Sequence, residues 1–222
     1  MPSQPPVMSP TSYALLGQLA MRPWSVYEMT KNIGRTLHWF WPRAESVIYA
    51  EMKRLAEQEL ARTESAPGRR GRPHTTYAIT PKGRRALKTW LGSEPAAFTF
   101  HFEALLRVHL APYGQREDLL RALQSAREEA TQLLRQATII GTEFTERSHQ
   151  FQAQVHVRGI LFDYLWRFGL TMYLWADHWL ERVDTWPSIA PTTETEREAL
   201  QLIERHLANM PHLAGPPADG LG

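Results

Sequence analysis

Tyr49-Ala-Glu-Met-Lys-Arg-Leu55, then Gly68-Arg-Arg-Gly-Arg-Pro73, then Tyr77-Ala-Ile-Thr-Pro-Lys-Gly-Arg-Arg-Ala-Leu87 follow one another in this chain. The first piece has helical spacing and basic side chains. The second is a cationic turn. The third is a short strand that runs into a helix, because Thr80 is a capping residue and Pro81 suits the first helical position, where no amide hydrogen is needed. A helix that can enter a groove, beside a positive hairpin tip that can hold phosphates, describes a winged helix on DNA.

Upstream, Tyr13 to Met21 is an apolar run of helical type ended by Pro23. Residues 1–10 form a Pro/Ser-rich arm expected to fray. Ser25-Val-Tyr-Glu28 matches a capping box, which predicts a second helix through Met29 and Ile33 to about Gly34. Leu37-His-Trp-Phe-Trp41 is an aromatic turn, and Pro42 is placed to open a third helix reaching about Gln58. In that helix Ile48, Met52 and Leu55 should face inward with Val47 beside them. Arg43, Ser46, Tyr49, Ala50 and Lys53 then fall on the opposite face. Residues 62–65 and 75–79 have strand character. The fourth helix should span Pro81 to about Leu91, and Gly92-Ser-Glu-Pro95 marks a boundary.

The second half reads as helix throughout. A short one is expected over 98–110. A long one follows, with a heptad seam at Leu119, Leu123, Ala126, Ala130, Leu133, Ala137, Ile140 and Phe144. A similar stripe runs through Leu161, Leu165, Phe168, Met172, Trp175 and Trp179, on a helix of roughly 30 residues or about 45 Å. Residues 193–208 predict a shorter amphipathic helix. The fold class is mainly α: a winged helix over 11–92, an all-α, coiled-coil-like dimerisation domain over 96–186, and a C-terminal extension over 187–222.

Charge divides the same way. Residues 1–92 carry 14 Lys and Arg against 6 Asp and Glu, and residues 93–222 carry 11 against 17. A basic half beside an acidic half suggests that one end meets a polyanion. With no Cys, disulfides and thiolate chemistry are excluded, which suits a cytoplasmic protein. The first residues lack the pattern of a secretory signal. The most apolar stretch, 160–180, carries Asp163, Arg167 and Asp177, so no membrane span is expected. No His pair, Gly-rich phosphate loop, nucleophile elbow or dinucleotide fingerprint is present, so neither a metal, a cofactor nor an enzyme is expected.

Tyr13-Ala-Leu-Leu-Gly17, Ser25-Val-Tyr-Glu-Met29, Ser46-Val-Ile-Tyr49-Ala-Glu-Met-Lys-Arg-Leu55, Gly71-Arg-Pro73 and Tyr77 to Leu87 form an ordered set over about residues 11–91. The set resembles the PadR family of bacterial transcription regulators. The resemblance implies a winged helix-turn-helix, a homodimer formed through C-terminal helices, and a repressor that often answers to a small molecule. The family pattern implies Gly one residue before the hydrophobic position that opens the wing, where this chain has Glu59. A left-handed residue there strains a Glu by about 1 kcal/mol or more, which leaves a different helix exit open. The segment after Pro187 extends past the usual end.

Arg43, Ser46, Tyr49 and Lys53 are the candidate groove face, with Arg43 suited to a guanine and Lys53 to phosphate. Arg69, Arg70 and Arg72, with Lys82 and Arg84 or Arg85, would neutralise phosphates. A pseudo-palindromic duplex and a second copy of the chain are the expected partners. Trp166, Trp175 and Trp179, with Trp186, suggest an effector pocket, and Arg158, Arg167 and His178 are candidate polar contacts, although packing is the commoner use of such rings. Two other readings stay open: a winged helix that binds protein rather than DNA, and a ligand carrier or enzyme built on the Trp-rich half.

Overall fold

Ser9 opens the first helix. Its hydroxyl accepts from the Ser12 amide at 3.2 Å while its own amide donates to Ser12 Oγ at 3.1 Å. The chain is described here by a computed structural model over residues 8–66 and 74–209, which divides into two compact units at Phe100 and His101. Ser9 and Pro10, expected in the arm, start the first helix, and the rest of that reading, residues 1–7, lies outside the described residues, as do 67–73 and 210–222.

The first unit runs α1 (Pro10–Met21), α2 (Val26–Thr36), α3 (Glu45–Glu57), β1 (Ala61–Ala66), β2 (His74–Ile79) and α4 (Pro81–Leu91). The strands pair antiparallel, with Ala61 opposite Ile79 and Thr63 opposite Tyr77. Leu15, Leu16, Leu19, Met29, Ile48, Met52 and Leu55 form its buried core. Trp24 is buried too: its indole donates to the Gln18 carbonyl at 2.9 Å, and its backbone exchanges two hydrogen bonds with Tyr77. The wing is thus fastened to the α1–α2 connection. Ser25 and Glu28 make the expected capping box at the start of α2.

Two details differ from the sequence reading. Pro42 does not open the third helix, which starts at Glu45 after an Ala44 cap that has no side-chain acceptor. The reason is that Trp41 and Arg43 both donate to Thr11 of α1, which ties down the aromatic turn before the helix begins. Val47 is 44% exposed rather than inward-facing. It sits one turn before Glu51 and two before Arg54, and that flank is polar.

Glu59 does adopt the left-handed conformation, at φ 58°. The Leu60 amide donates to the Leu55 carbonyl at 2.9 Å and the Glu59 amide to the Ala56 carbonyl at 3.0 Å, a Schellman exit that satisfies the last carbonyls of α3. Thr80 Oγ1 donates to the Glu59 carbonyl, and Lys82 Nζ reaches both the Gln58 carbonyl (2.8 Å) and the Glu59 carboxylate (3.3 Å). Those contacts hold the exit that Gly would adopt freely.

The second unit holds α5 (Glu103–Leu110), α6 (Arg116–Thr145), α7 (Val155–Asp184) and α8 (Thr193–Ala208). α5 begins later than expected, since 98–102 is not helical. α6 and α7 are each 30 residues and pack against one another. The α6 seam from Leu119 to Ala137 is buried inside this unit. Gly169 allows the close approach, because a Cβ there would lie 3.1 Å from Leu133. Arg127 bonds Asp177 across the pair at 2.8 Å. No helix among the described residues is long and apolar enough to cross a membrane.

Candidate nucleic-acid interface and the helical-unit cavities

α3 is amphipathic by a simple division. Ile48, Met52 and Leu55 anchor it in the core, which leaves Glu45, Ser46, Tyr49, Ala50 and Lys53 to solvent. Tyr49 is 49% exposed, a large surface for an aromatic ring. Lys53 lies 3.7 Å from Glu57, a loose ion pair between exposed chains. Such a pair contributes little and is readily exchanged for another anion.

The helix is held rigidly from behind. Arg54 donates to Glu51 through Nε (2.9 Å) and Nη2 (2.6 Å) and to Ser12 Oγ on α1 (2.7 Å), and the Ser12 hydroxyl donates to Glu51. Burial works to raise the Glu51 carboxyl, but hydrogen bonds from Arg54 and Ser12 and the Arg54 charge outweigh it and hold the group below its ordinary value.

Of the groove residues named from sequence, Ser46, Tyr49 and Lys53 share the exposed face of α3. Arg43 does not belong to the helix. Its Nε donates to Thr11 Oγ1 at 3.0 Å, and its guanidinium stacks over Trp41 at 4.5 Å. Arg69, Arg70 and Arg72 lie outside the described residues. Lys82 is engaged at the α3 exit, while Arg84 and Arg85 are exposed on α4. Val47, read from sequence as inward-facing, is exposed on the flank of α3 that carries Glu51 and Arg54, not on the face of Tyr49 and Lys53. Its proximity to the polar Glu51–Arg54 flank was the available signal.

The Trp residues separate into two cavities in the helical unit. Trp175, Trp179 and Trp186 line one of about 490 Å³, with Leu123, Ile189 and Leu202 among the other walls. Trp166 lines another of about 430 Å³, with Phe162 and Arg158. Nine helical residues separate Trp166 from Trp175, which is half a rotation and about 13 Å of rise, so the two cannot share a face. Burial pushes Arg158 below its ordinary value, and it stands 4.7 Å from the Phe151 ring. Arg167 is paired with Asp163, and His178 sits edge-on to Trp179 at 5.4 Å. None of the three lines the Trp175 cavity. No cluster of three or more metal-ligating side chains occurs among the described residues.

Comparison with known proteins gives a fold and a family domain. The family described as "Transcriptional regulator PadR-like family" matches residues 15–89. Bacillus subtilis PadR in complex with operator DNA superposes with a TM-score of 0.63 at 20% identity, spanning 78% of this chain and 98% of that one. The same protein in complex with p-coumaric acid gives 0.58 at 20% identity over 78% and 98%. A PadR-like transcriptional regulator from Bacillus cereus gives 0.65 at 14% identity over 78% and 97%. No curated protein sequence matches the chain. Residues 15–89 therefore match the PadR-like transcriptional regulator family model, and the chain shares the winged-helix fold of these structures.

Proposed function

We propose that the chain is a homodimeric, cytoplasmic repressor that reads a pseudo-palindromic duplex and is released by a small molecule. The observation that carries this is the solvent face of α3. Ser46, Tyr49 and Lys53 project there from a helix whose other side is locked in the core. Ser46 and Tyr49 offer hydroxyls to base edges or phosphates. The excess of cations in residues 1–92 supplies phosphate affinity, Arg69, Arg70 and Arg72 included.

Dimerisation draws support from α7. Its inner side packs on α6, yet Val157, Ile160, Tyr164 and Leu174 are 57%, 74%, 56% and 57% exposed. A run of exposed apolar side chains of that size is characteristic of an interaction surface. Release by a ligand draws support from the Bacillus subtilis complexes with operator DNA and with p-coumaric acid. The protein-binding alternative rests on the exposed Val47 and Tyr49, but it gives no role to the basic excess.

Selection of bound duplexes from a random pool tests the proposal. The expected product is an inverted repeat with half-sites about 34–36 Å apart. Enrichment of a single unrepeated site would remove the dimer. Absence of enrichment at low salt would remove DNA binding altogether.

A further inference from the structure

We infer that the cavity bounded by α5, α6, α7 and residues 186–189 is a binding site for a neutral, flat polycyclic molecule, with α8 as its lid. The regulatory use of such a site rests on the reading above; the binding itself does not.

Size is the first argument. The pocket, about 490 Å³ and partly open to solvent, has the volume of a small-molecule site. Wall chemistry is the second. Trp175, Trp179 and Trp186 converge on it, and Leu123, Ile189 and Leu202 complete an apolar lining without a charged side chain. Indole faces stack on flat π-systems. A charged ligand would be buried here with no counter-charge, which is costly, so the occupant is neutral.

The lid is the third argument. α8 folds through its own capping box at Thr192 and Thr195, yet none of its residues is buried. Leu200, Ile203 and Leu207 are exposed, while Leu202 reaches the cavity wall. The helix is tethered to α7 by the Arg182–Glu198 ion pair, which is partly exposed. Exposed pairs of this kind contribute little. At the other end, Arg116 fixes the chain leaving α7 by donating to the Asp184 and Trp186 carbonyls at 2.7 and 3.1 Å. One end is therefore firm and the other lightly held, as a hinged cover requires.

The test is titration of the full chain with acridone, a neutral fluorescent tricycle, and with a sulfonated acridone as the charged control. Saturable binding of one acridone per chain is expected, with the sulfonate weaker by roughly tenfold or more. Leu202→Trp should fill the mouth and weaken acridone by roughly tenfold or more. Glu198→Gln, a milder change, should speed acridone release several-fold without altering the melting profile. Equal affinity in wild type and L202W, or no saturable binding, overturns the site. So does an L202W variant that changes the oligomeric state when the wild type shows no saturable acridone binding, because a partner chain then occupies the cavity. Gel retardation run in parallel separates the two claims. Acridone binding without DNA binding removes the regulator reading and keeps the site; DNA binding without acridone binding does the reverse.

Discussion

At Glu59 the backbone holds a conformation that costs an L side chain about 1–2 kcal/mol. Glu59→Gly should therefore raise the unfolding free energy by up to about 1 kcal/mol, since the greater freedom of Gly in the unfolded chain offsets part of the gain. Urea denaturation measures it, and a fall in midpoint would mean that the Lys82 contact matters more than the strain. Gly83 is the opposite case. A Cβ there would stand 2.1 Å from the Leu60 carbonyl oxygen and 3.0 Å from Ile79 Cγ1. Backbone cannot turn aside as a flexible side chain does, so Gly83→Ala should cost about 1–3 kcal/mol in the same assay. Tyr49 is about half exposed on the outer face of α3. Tyr49→Ala should lower affinity for the selected duplex more than for random duplex, as read by gel retardation, and equal loss on both would reassign the ring to packing.

α3 is the element on which the candidate site depends, and Ser12, Glu51 and Arg54 fix it against α1. Because the folded-state carboxyl of Glu51 lies below its ordinary value, its contribution is present above the ordinary carboxylate range. That contribution is lost as pH falls through that range towards the folded-state value. Urea midpoints measured between about pH 6 and about pH 3 should fall less steeply in Glu51→Gln than in wild type. Parallel slopes would show that other carboxylates dominate acid unfolding. The Schellman exit at Glu59 and the Thr80 cap then set where the wing begins relative to α3, through Lys82 and the Thr80 hydroxyl.

On the molecule as a whole, the outer side of α7 carries an exposed apolar row. Ile160 is 74% exposed and belongs to the face proposed for self-association. Ile160→Glu should convert a dimer to monomer in sedimentation velocity while leaving the helical content intact, because an unpaired carboxylate placed in an apolar interface is costly. An unchanged sedimentation coefficient would move the dimer contact elsewhere. Loss of DNA affinity alongside loss of the dimer is the expected companion result, since two half-sites bind more tightly through linkage than one.

Much of this protein was legible along the chain. Capping residues, prolines and helical spacing are local properties, so Ser25–Glu28, Thr80–Pro81, the wing strands and the length of α7 could be read directly. The core triad Ile48, Met52 and Leu55 followed from periodicity, and with it the outward position of Ser46, Tyr49 and Lys53. Other features depended on partners distant in sequence. Thr11 draws Trp41 and Arg43 away from α3, Ser12 makes the Val47 flank polar, and Lys82 supports a Glu in a conformation that favours Gly. The two Trp cavities belong to the same class, because Trp186 joins Trp175 and Trp179 only after the chain has turned out of α7. Short-range rules of dihedral preference and spacing are carried by neighbouring residues; which side chain meets which across many residues is settled only when each unit packs on itself.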